Sequence, residues 1–190
     1  TISRRQRQMC IRDRYYNLLN AEAITLSGQV SIRWIENKMN QKMNKILKTE
    51  DVDYVIASDT DSIYLNLGPL VEGVYKGRKE TDEVIVGFID KVCSMELEPY
   101  IESSYEALAK YVNAYDQKMF MKRETIANKG IWTAKKRYIL NAWDIEGVRF
   151  AEPKLKVMGI EAVKSSTPGV CRDKIKECLK VIMNLSLIHI

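Results

Sequence analysis

Val52-Asp53-Tyr54-Val55-Ile56-Ala57-Ser58-Asp59-Thr60-Asp61-Ser62-Ile63-Tyr64-Leu65-Asn66-Leu67 is the stretch whose reading decides the fold. Two runs rich in β-branched and aromatic residues flank four small polar ones, the pattern of strand, tight turn, strand. Two carboxylates one residue apart at such a turn repel each other when both are ionised. A divalent cation relieves that repulsion, and carboxylate oxygens are the protein ligands that Mg2+ takes. Asp-x-Asp alone is common in surface turns. The flanking strands make this one a candidate metal site, with Asp61 and Asp59 as ligands.

Working outward, Asn17 to Lys48 reads as one long helix, because Ile32, Ile35, Met39, Met43 and Ile46 follow three-four spacing. Lys38, Lys42, Lys45 and Lys48 suit the negative end of its dipole. Downstream, Gly68-Pro69 is expected to end the second strand, with a loop over 73–79. A helix is predicted over 81–97, its apolar face formed by Val84, Ile85, Phe88, Ile89, Val92 and Met95. Pro99 should break or kink it, and 100–113 continues helically through Tyr100, Ile101, Tyr105, Leu108 and Val112.

The period then changes to two. Residues 118–126 read as a strand, Asn128-Lys129-Gly130 as a turn, and Ile131 to Trp143 as a second strand carrying Lys135-Lys136-Arg137-Tyr138. Glu146-Gly147 is a turn before a third strand from Val148. Thr167 and Pro168 are the expected N-cap and first residue of a last helix. Its predicted apolar face is Cys171, Ile175, Cys178, Leu179 and Ile182. Helix, hairpin, helices, sheet, helix is an α+β order.

The bulk composition is that of a soluble globular chain: 190 residues, 46% hydrophobic and 29% charged. No apolar run reaches membrane-span length. Of the four cysteines, Cys171 and Cys178 read as core thiols rather than a disulfide or zinc pair, which fits a reducing compartment. The formal charge is +5, yet residues 1–14 alone hold +4. Residues 1–13 and 185–190 do not continue the patterns beside them and resemble translated adapter sequence. They are expected to be non-native tails, which removes Cys10 and the single histidine, His189, from consideration. Elsewhere charge is segregated: −7 over 80–106, +5 over 116–138 and +4 over 149–176. Such a chain can grip a polyanion on one side, although solvated charged faces are the commoner cause of any single run.

Three segments carry the chemistry. The first is Ile56 to Tyr64. The second is Gly130-Ile131-Trp132-Thr133-Ala134-Lys135-Lys136-Arg137-Tyr138. The third is Ala151-Glu152-Pro153-Lys154-Leu155-Lys156-Val157-Met158-Gly159-Ile160-Glu161, running on to Lys164-Ser165-Ser166-Thr167-Pro168. In this order they resemble the palm and early thumb of family B DNA-directed DNA polymerases, most closely those of T-even-type bacteriophages. The stretch Tyr15-Tyr16-Asn17 to Arg33, with Ala23-Ile24-Thr25 and Gly28-Gln29, is similar to the helix after the fingers in that group. The resemblance covers roughly residues 14–184.

The resemblance implies a palm with an antiparallel sheet backed by helices, then the first thumb helix. It divides the chain into 14–48 (helix after the fingers), 49–160 (palm) and 161–184 (start of the thumb). It implies nucleotidyl transfer from a dNTP to a primer 3′-hydroxyl by two Mg2+ ions, with Mn2+ as a possible substitute. Asp59 and Asp61 would be catalytic metal ligands, Asp61 the more direct. Here Ala57-Ser58 replaces the family's usual Tyr-Gly before the first Asp. Glu124 would lie near the metals and add negative potential or a ligand to a metal-bound water, although a solvated strand carboxylate is at least an equal reading, and Lys122 stands where the group often has Asp. Lys135, Lys136, Arg137 and Tyr138 would contact the primer terminus and duplex minor groove, with Lys136 best placed for a base edge. A solvated strand edge is the alternative. Lys164, Ser165, Ser166 and Thr167, at a helix start, would hold primer phosphates, or Thr167 simply caps.

Primer-template DNA and dNTP are the implied partners. A sliding clamp and replisome proteins follow from the family alone, and the implied location is the cytoplasm of an infected bacterium. The family's other metal-binding Asp and its fingers motif would precede residue 14. The expectation is therefore an internal fragment, inactive by itself. The competing reading is a non-catalytic module that binds the DNA backbone.

Overall fold

In a computed structural model of the chain, the described residues are 17–76, 78 and 80–184. The expected tails, Cys10, His189, Tyr15 and Tyr16 lie outside them, as do Gly77 and Lys79. The fold is α+β. Its elements are α1 (Leu18–Leu47), β1 (Val55–Asp59), β2 (Ser62–Leu65), α2 (Gly68–Tyr75), α3 (Asp82–Val92), a π-helical turn (Cys93–Leu97), α4 (Glu98–Tyr111), β3 (Thr125–Ala134), β4 (Arg137–Ile145), β5 (Val148–Met158), a 3-10 turn (Glu161–Val163) and α5 (Gly169–Asn184). β1 and β2 form an antiparallel hairpin, and β3-β4-β5 an antiparallel meander. The chain divides into two compact units: residues through Gly73 together with Tyr100–Met121, and Val74–Pro99 together with Lys122 onward.

In the first unit, Ile35, Met39 and Met43 of α1 are completely buried, with Tyr54, Val55, Ile101, Tyr105 and Leu108 also in the core. Each of the three contributes roughly 1.5–3 kcal/mol by leaving water. The predicted stripe thus holds at its centre, while Ile46 is exposed. Trp34 donates from Nε1 to the Ser104 carbonyl at 2.9 Å, and its ring stacks on Tyr111 at 6.0 Å. Asn17 caps α1 by accepting from the Asn20 N–H.

In the second unit the core includes Val86, Cys93, Leu97, Ile126, Ile139, Leu140, Ala142, Ala162 and Met183. The expected face of α3 is corrected: Val84 and Met95 are exposed, and Val86, Cys93 and Leu97 line the buried side. Pro99 interrupts differently from the expected break. The turn before it widens, with the Glu98 N–H bonded to the Cys93 carbonyl five residues back. Helix runs on both sides of this bulge because Pro99 falls in the first turn of α4, where a missing N–H matters least.

Four other expectations are corrected. Gly68-Pro69 opens a helix instead of only closing a strand: the Asn66 side chain accepts from the Gly68 N–H at 3.0 Å and leads into α2. Residues 118–124 are not strand: they have no ladder partner, and their backbone bonds go elsewhere, the Arg123 N–H to the Glu98 carboxylate and the Glu124 carbonyl to the Glu146 N–H. Asn128-Lys129-Gly130 is not a turn. β3 passes through it, with register irregularities at Ala127 to Lys129 absorbing the poor strand formers. Cys171 and Cys178 are exposed, because α5 buries chiefly Met183.

Candidate functional site

The Asp59–Asp61 turn is anchored from below by α1. Asn40 accepts from the N–H groups of Tyr54 and Val55 at 2.9 and 3.1 Å, and donates to Asp53 at 2.7 Å. One turn on, Asn44 donates to the Val52 carbonyl and accepts from the Val52 N–H and the Thr49 hydroxyl. Two amides on one helix face therefore fix where β1 begins. Val55 pairs with Leu65, Ala57 with Tyr64, Ser58 with Ile63 and Asp59 with Ser62, Ile56 being the extra residue of a bulge. The connection is the two residues Thr60-Asp61. Neither takes a positive φ, so it is not the mirror-image turn that usually closes so short a hairpin.

Asp59 is half-buried and Asp61 exposed. The Thr60 hydroxyl donates to Asp59 Oδ1 at 3.0 Å. No group of three or more His, Cys, Asp or Glu side chains among the described residues forms a ready metal cage. Two carboxylates at a hairpin tip nevertheless fit Mg2+, which keeps several waters and is commonly held by one or two carboxylates plus substrate phosphates.

In the second unit, Glu124 lies just before β3, its carbonyl accepting from the Glu146 N–H at 2.6 Å. Its exposed carboxylate is already engaged: Lys156 of β5 donates to Oε1 at 2.5 Å and to Thr125 Oγ1 at 3.0 Å. Glu124 therefore carries its own counter-cation.

The basic run departs from its expected form. Lys135 and Lys136 do not alternate along a strand; they are the two-residue turn between β3 and β4, with Lys136 at φ 63°. Ala134 pairs with Arg137 and Trp132 with Tyr138, with Thr133 bulged between them. The Thr133 hydroxyl donates to the Arg137 carbonyl at 3.2 Å. Thus Lys135, Lys136 and Arg137 gather at an exposed hairpin tip, while half-buried Tyr138 lies 6.5 Å from the Trp132 ring. Trp143 also packs into the sheet, with its Nε1 buried.

Gly159, after β5, supports this tip. It has φ +67°, and a Cβ there would stand 2.2 Å from the Lys136 carbonyl oxygen, so only glycine fits. The 3-10 turn that follows presents Glu161, whose Oε1 lies 2.8 Å from Lys164 Nζ and 3.5 Å from Arg137 Nη2. The Lys164 hydrogen bond, then one from its own backbone N–H and the Lys164 charge, hold the Glu161 carboxyl below the ordinary glutamate range. The structure therefore joins the two basic segments through an acid that spacing alone did not single out. Ser165 and Ser166 are exposed and Thr167 half-buried. Helix α5 starts one residue later than expected, the Pro168 carbonyl accepting from the Arg172 N–H at 3.0 Å, so Pro168 and not Thr167 occupies the cap position.

Sequence reasoning also missed an ion network built around the buried Asp144. Arg123 reaches Asp144 with Nη1 and Asp90 with Nη2, the latter at 2.7 Å. Asp90 also accepts from Arg149 at 3.1 Å, and the Arg123 N–H donates to Glu98 at 3.0 Å. Gly87, one turn before Asp90 on α3, lies beside the Arg149 guanidinium, which a Cβ there would meet in ordinary contact at 3.6 Å. Burial opposes the Arg123 charge, but Asp144 and then Asp90 outweigh it and raise its affinity for the proton.

Comparison with known proteins gives the segment its setting. The chain is 43% identical over 175 residues to the DNA-directed DNA polymerase of Escherichia phage RB69, covering 88% of this chain and 19% of that protein. It is 41% identical over 178 residues to that of Enterobacteria phage T4, covering 90% and 20%. The likeness is to one segment of T4-like phage DNA polymerases. The chain spans about a fifth of the length of these curated relatives. No family model matches it. No described helix is long and apolar enough to cross a membrane. An open hollow of about 400 Å3 at the end of α4, lined by Glu106, Lys110, Asn113 and Tyr115 among others, includes none of the residues above.

Proposed function

We propose that this chain is the palm and early thumb of a template-directed DNA polymerase, which joins a dNTP to a primer 3′-hydroxyl. The observation that carries this reading is a carboxylate pair, Asp59 and Asp61, at the tip of a buttressed hairpin within a segment 41–43% identical to phage DNA-directed DNA polymerases. Residues 14–48 would follow the fingers, 49–160 form the palm and 161–184 begin the thumb.

Asp61 and Asp59 would hold Mg2+, or Mn2+ in its place. Two such ions, when bound, supply charge neutralisation for the triphosphate and activation of the primer hydroxyl. The chain's own contribution is to aim the two carboxylates. The amides of Asn40 and Asn44 fix the start of the strand that leads to them. Glu124, its carboxylate paired with Lys156, would be a tempered acid rather than a bare ligand.

Lys135, Lys136 and Arg137 at the second hairpin tip, with Lys164, Ser165, Ser166 and Thr167, would hold primer-template phosphates. Contacts of that kind position the duplex without reading its sequence, as a replicative enzyme requires. Lys136, at the turn, and Tyr138, on the strand, would face the primer end. A sliding clamp, replisome proteins and the cytoplasm of an infected bacterium complete the reading through family resemblance.

The test is extension of a labelled primer by the polymerase containing this segment. Extension that needs Mg2+ or Mn2+ and is abolished by chelation supports the reading. Metal-independent retention of duplex, with no extension under any divalent ion, would favour a DNA-backbone-binding module.

A further inference from the structure

We propose that Glu161 is a positioning residue that holds Arg137 of the β3–β4 tip and Lys164 of the following loop as one preassembled cation pair for the nucleic-acid backbone. The inference rests on the reading that these basic segments meet phosphates, and adds to it the residue that makes them act together. A single carboxylate oxygen, Oε1, serves both cations, at 2.8 Å from Lys164 and 3.5 Å from Arg137. Arg137, Glu161 and Lys164 remain 48%, 50% and 41% exposed, so the pair is available to a ligand. Its support is rigid. Ala162, next to Glu161, is completely buried, and Gly159 lies directly against the Lys136 carbonyl.

Two opposite consequences of an acid in a phosphate-binding patch can be separated by sign. Coulomb repulsion alone predicts that Glu161 weakens polyanion binding, so its removal should tighten the complex. Positioning predicts the reverse, because two long side chains lose the shared partner that orders them. Exposed ion pairs are worth little each, so the expected loss is modest but its direction is diagnostic.

The experiment measures duplex primer-template affinity by fluorescence anisotropy at several salt concentrations. The variants are Arg137→Gln, Lys164→Gln and their combination, each made with Glu161 intact and with Glu161→Gln. With Glu161 intact, either cation variant should weaken binding nearly as much as both together. Glu161→Gln alone should weaken binding roughly two- to fivefold and make the Arg137 and Lys164 effects additive. Glu161→Asp, which keeps the charge, should restore part of the coupling. A merely structural role would lower the melting temperature while leaving the coupling in place, and that result overturns the proposal. Tighter binding by Glu161→Gln would overturn it too. If no Arg137 or Lys164 variant changes affinity or its salt slope, the phosphate-binding reading of these segments fails as well, a pattern distinct from failure of the Glu161 role alone.

Discussion

Asp144, with about 1% of its side chain exposed, is ion-paired to Arg123, which joins the foot of β3 to the middle of the meander. Asp90 and Arg149 extend the pair, and the Gly147 N–H donates to Asp144 Oδ1 at 3.0 Å. Taking Arg123 away leaves buried Asp144 with only the more distant Arg149 Nε, at 3.8 Å, as a counter-charge. Arg123→Met is expected to destabilise the protein by about 1.5–3 kcal/mol. The Arg123→Met/Asp144→Leu double variant should lose less than the sum of the singles. Urea denaturation of the four proteins checks this, and additive losses would show that the two side chains do not act as a pair.

Gly159→Ala should disturb the basic hairpin tip at a distance of twenty-odd residues in sequence. The new methyl meets the Lys136 carbonyl, and the positive φ adds backbone strain, together about 1–3 kcal/mol. Amide spectra would show the largest shifts at Lys135, Lys136 and Arg137. Shifts confined to residues adjacent to Gly159 would contradict the packing.

Glu161 should titrate below the ordinary glutamate value of 4.5. Because its carboxyl is depressed in the folded protein, its interaction with Lys164 is fully present above the unfolded value. It fades as pH falls through the depressed one. Carboxyl-detected NMR titration should place its midpoint below 4.5, and Lys164→Gln should move it upward. A midpoint unchanged by Lys164→Gln would remove Lys164 as the cause.

The thiols should divide sharply. Burial pushes Cys93 up to about 11, so at neutral pH it is both protonated and enclosed. Cys171 and Cys178 are exposed on α5. Alkylation followed by peptide mass spectrometry should label both in the native protein and Cys93 only after unfolding. Prompt labelling of Cys93 would place it outside the core.

The readable parts of the fold were those governed by local pattern. The α1 stripe Ile35-Met39-Met43 and the strand-turn-strand around Asp59 follow from periodicity and turn chemistry. The Lys135-Lys136 turn was hidden because neither residue is a turn former, and β-branched and aromatic residues flank it on both sides. Only pairing of Ala134 with Arg137 closes the hairpin there. Gly68-Pro69 was ambiguous in principle, since proline that ends a strand also suits the first turn of a helix. The Glu161–Lys164 pair has i,i+3 spacing and could have been noticed. Arg123 and Asp144, 21 residues apart, meet only through sheet register.

The most direct test of the central claim is primer extension by the full protein carrying Asp61→Asn, measured beside its duplex affinity. The account predicts that extension in Mg2+ falls at least about a hundredfold, the loss of several kcal/mol of charge stabilisation, while affinity for primer-template stays near that of the unaltered protein. Extension at the unaltered rate would contradict a metal-holding role for the Asp59–Asp61 turn.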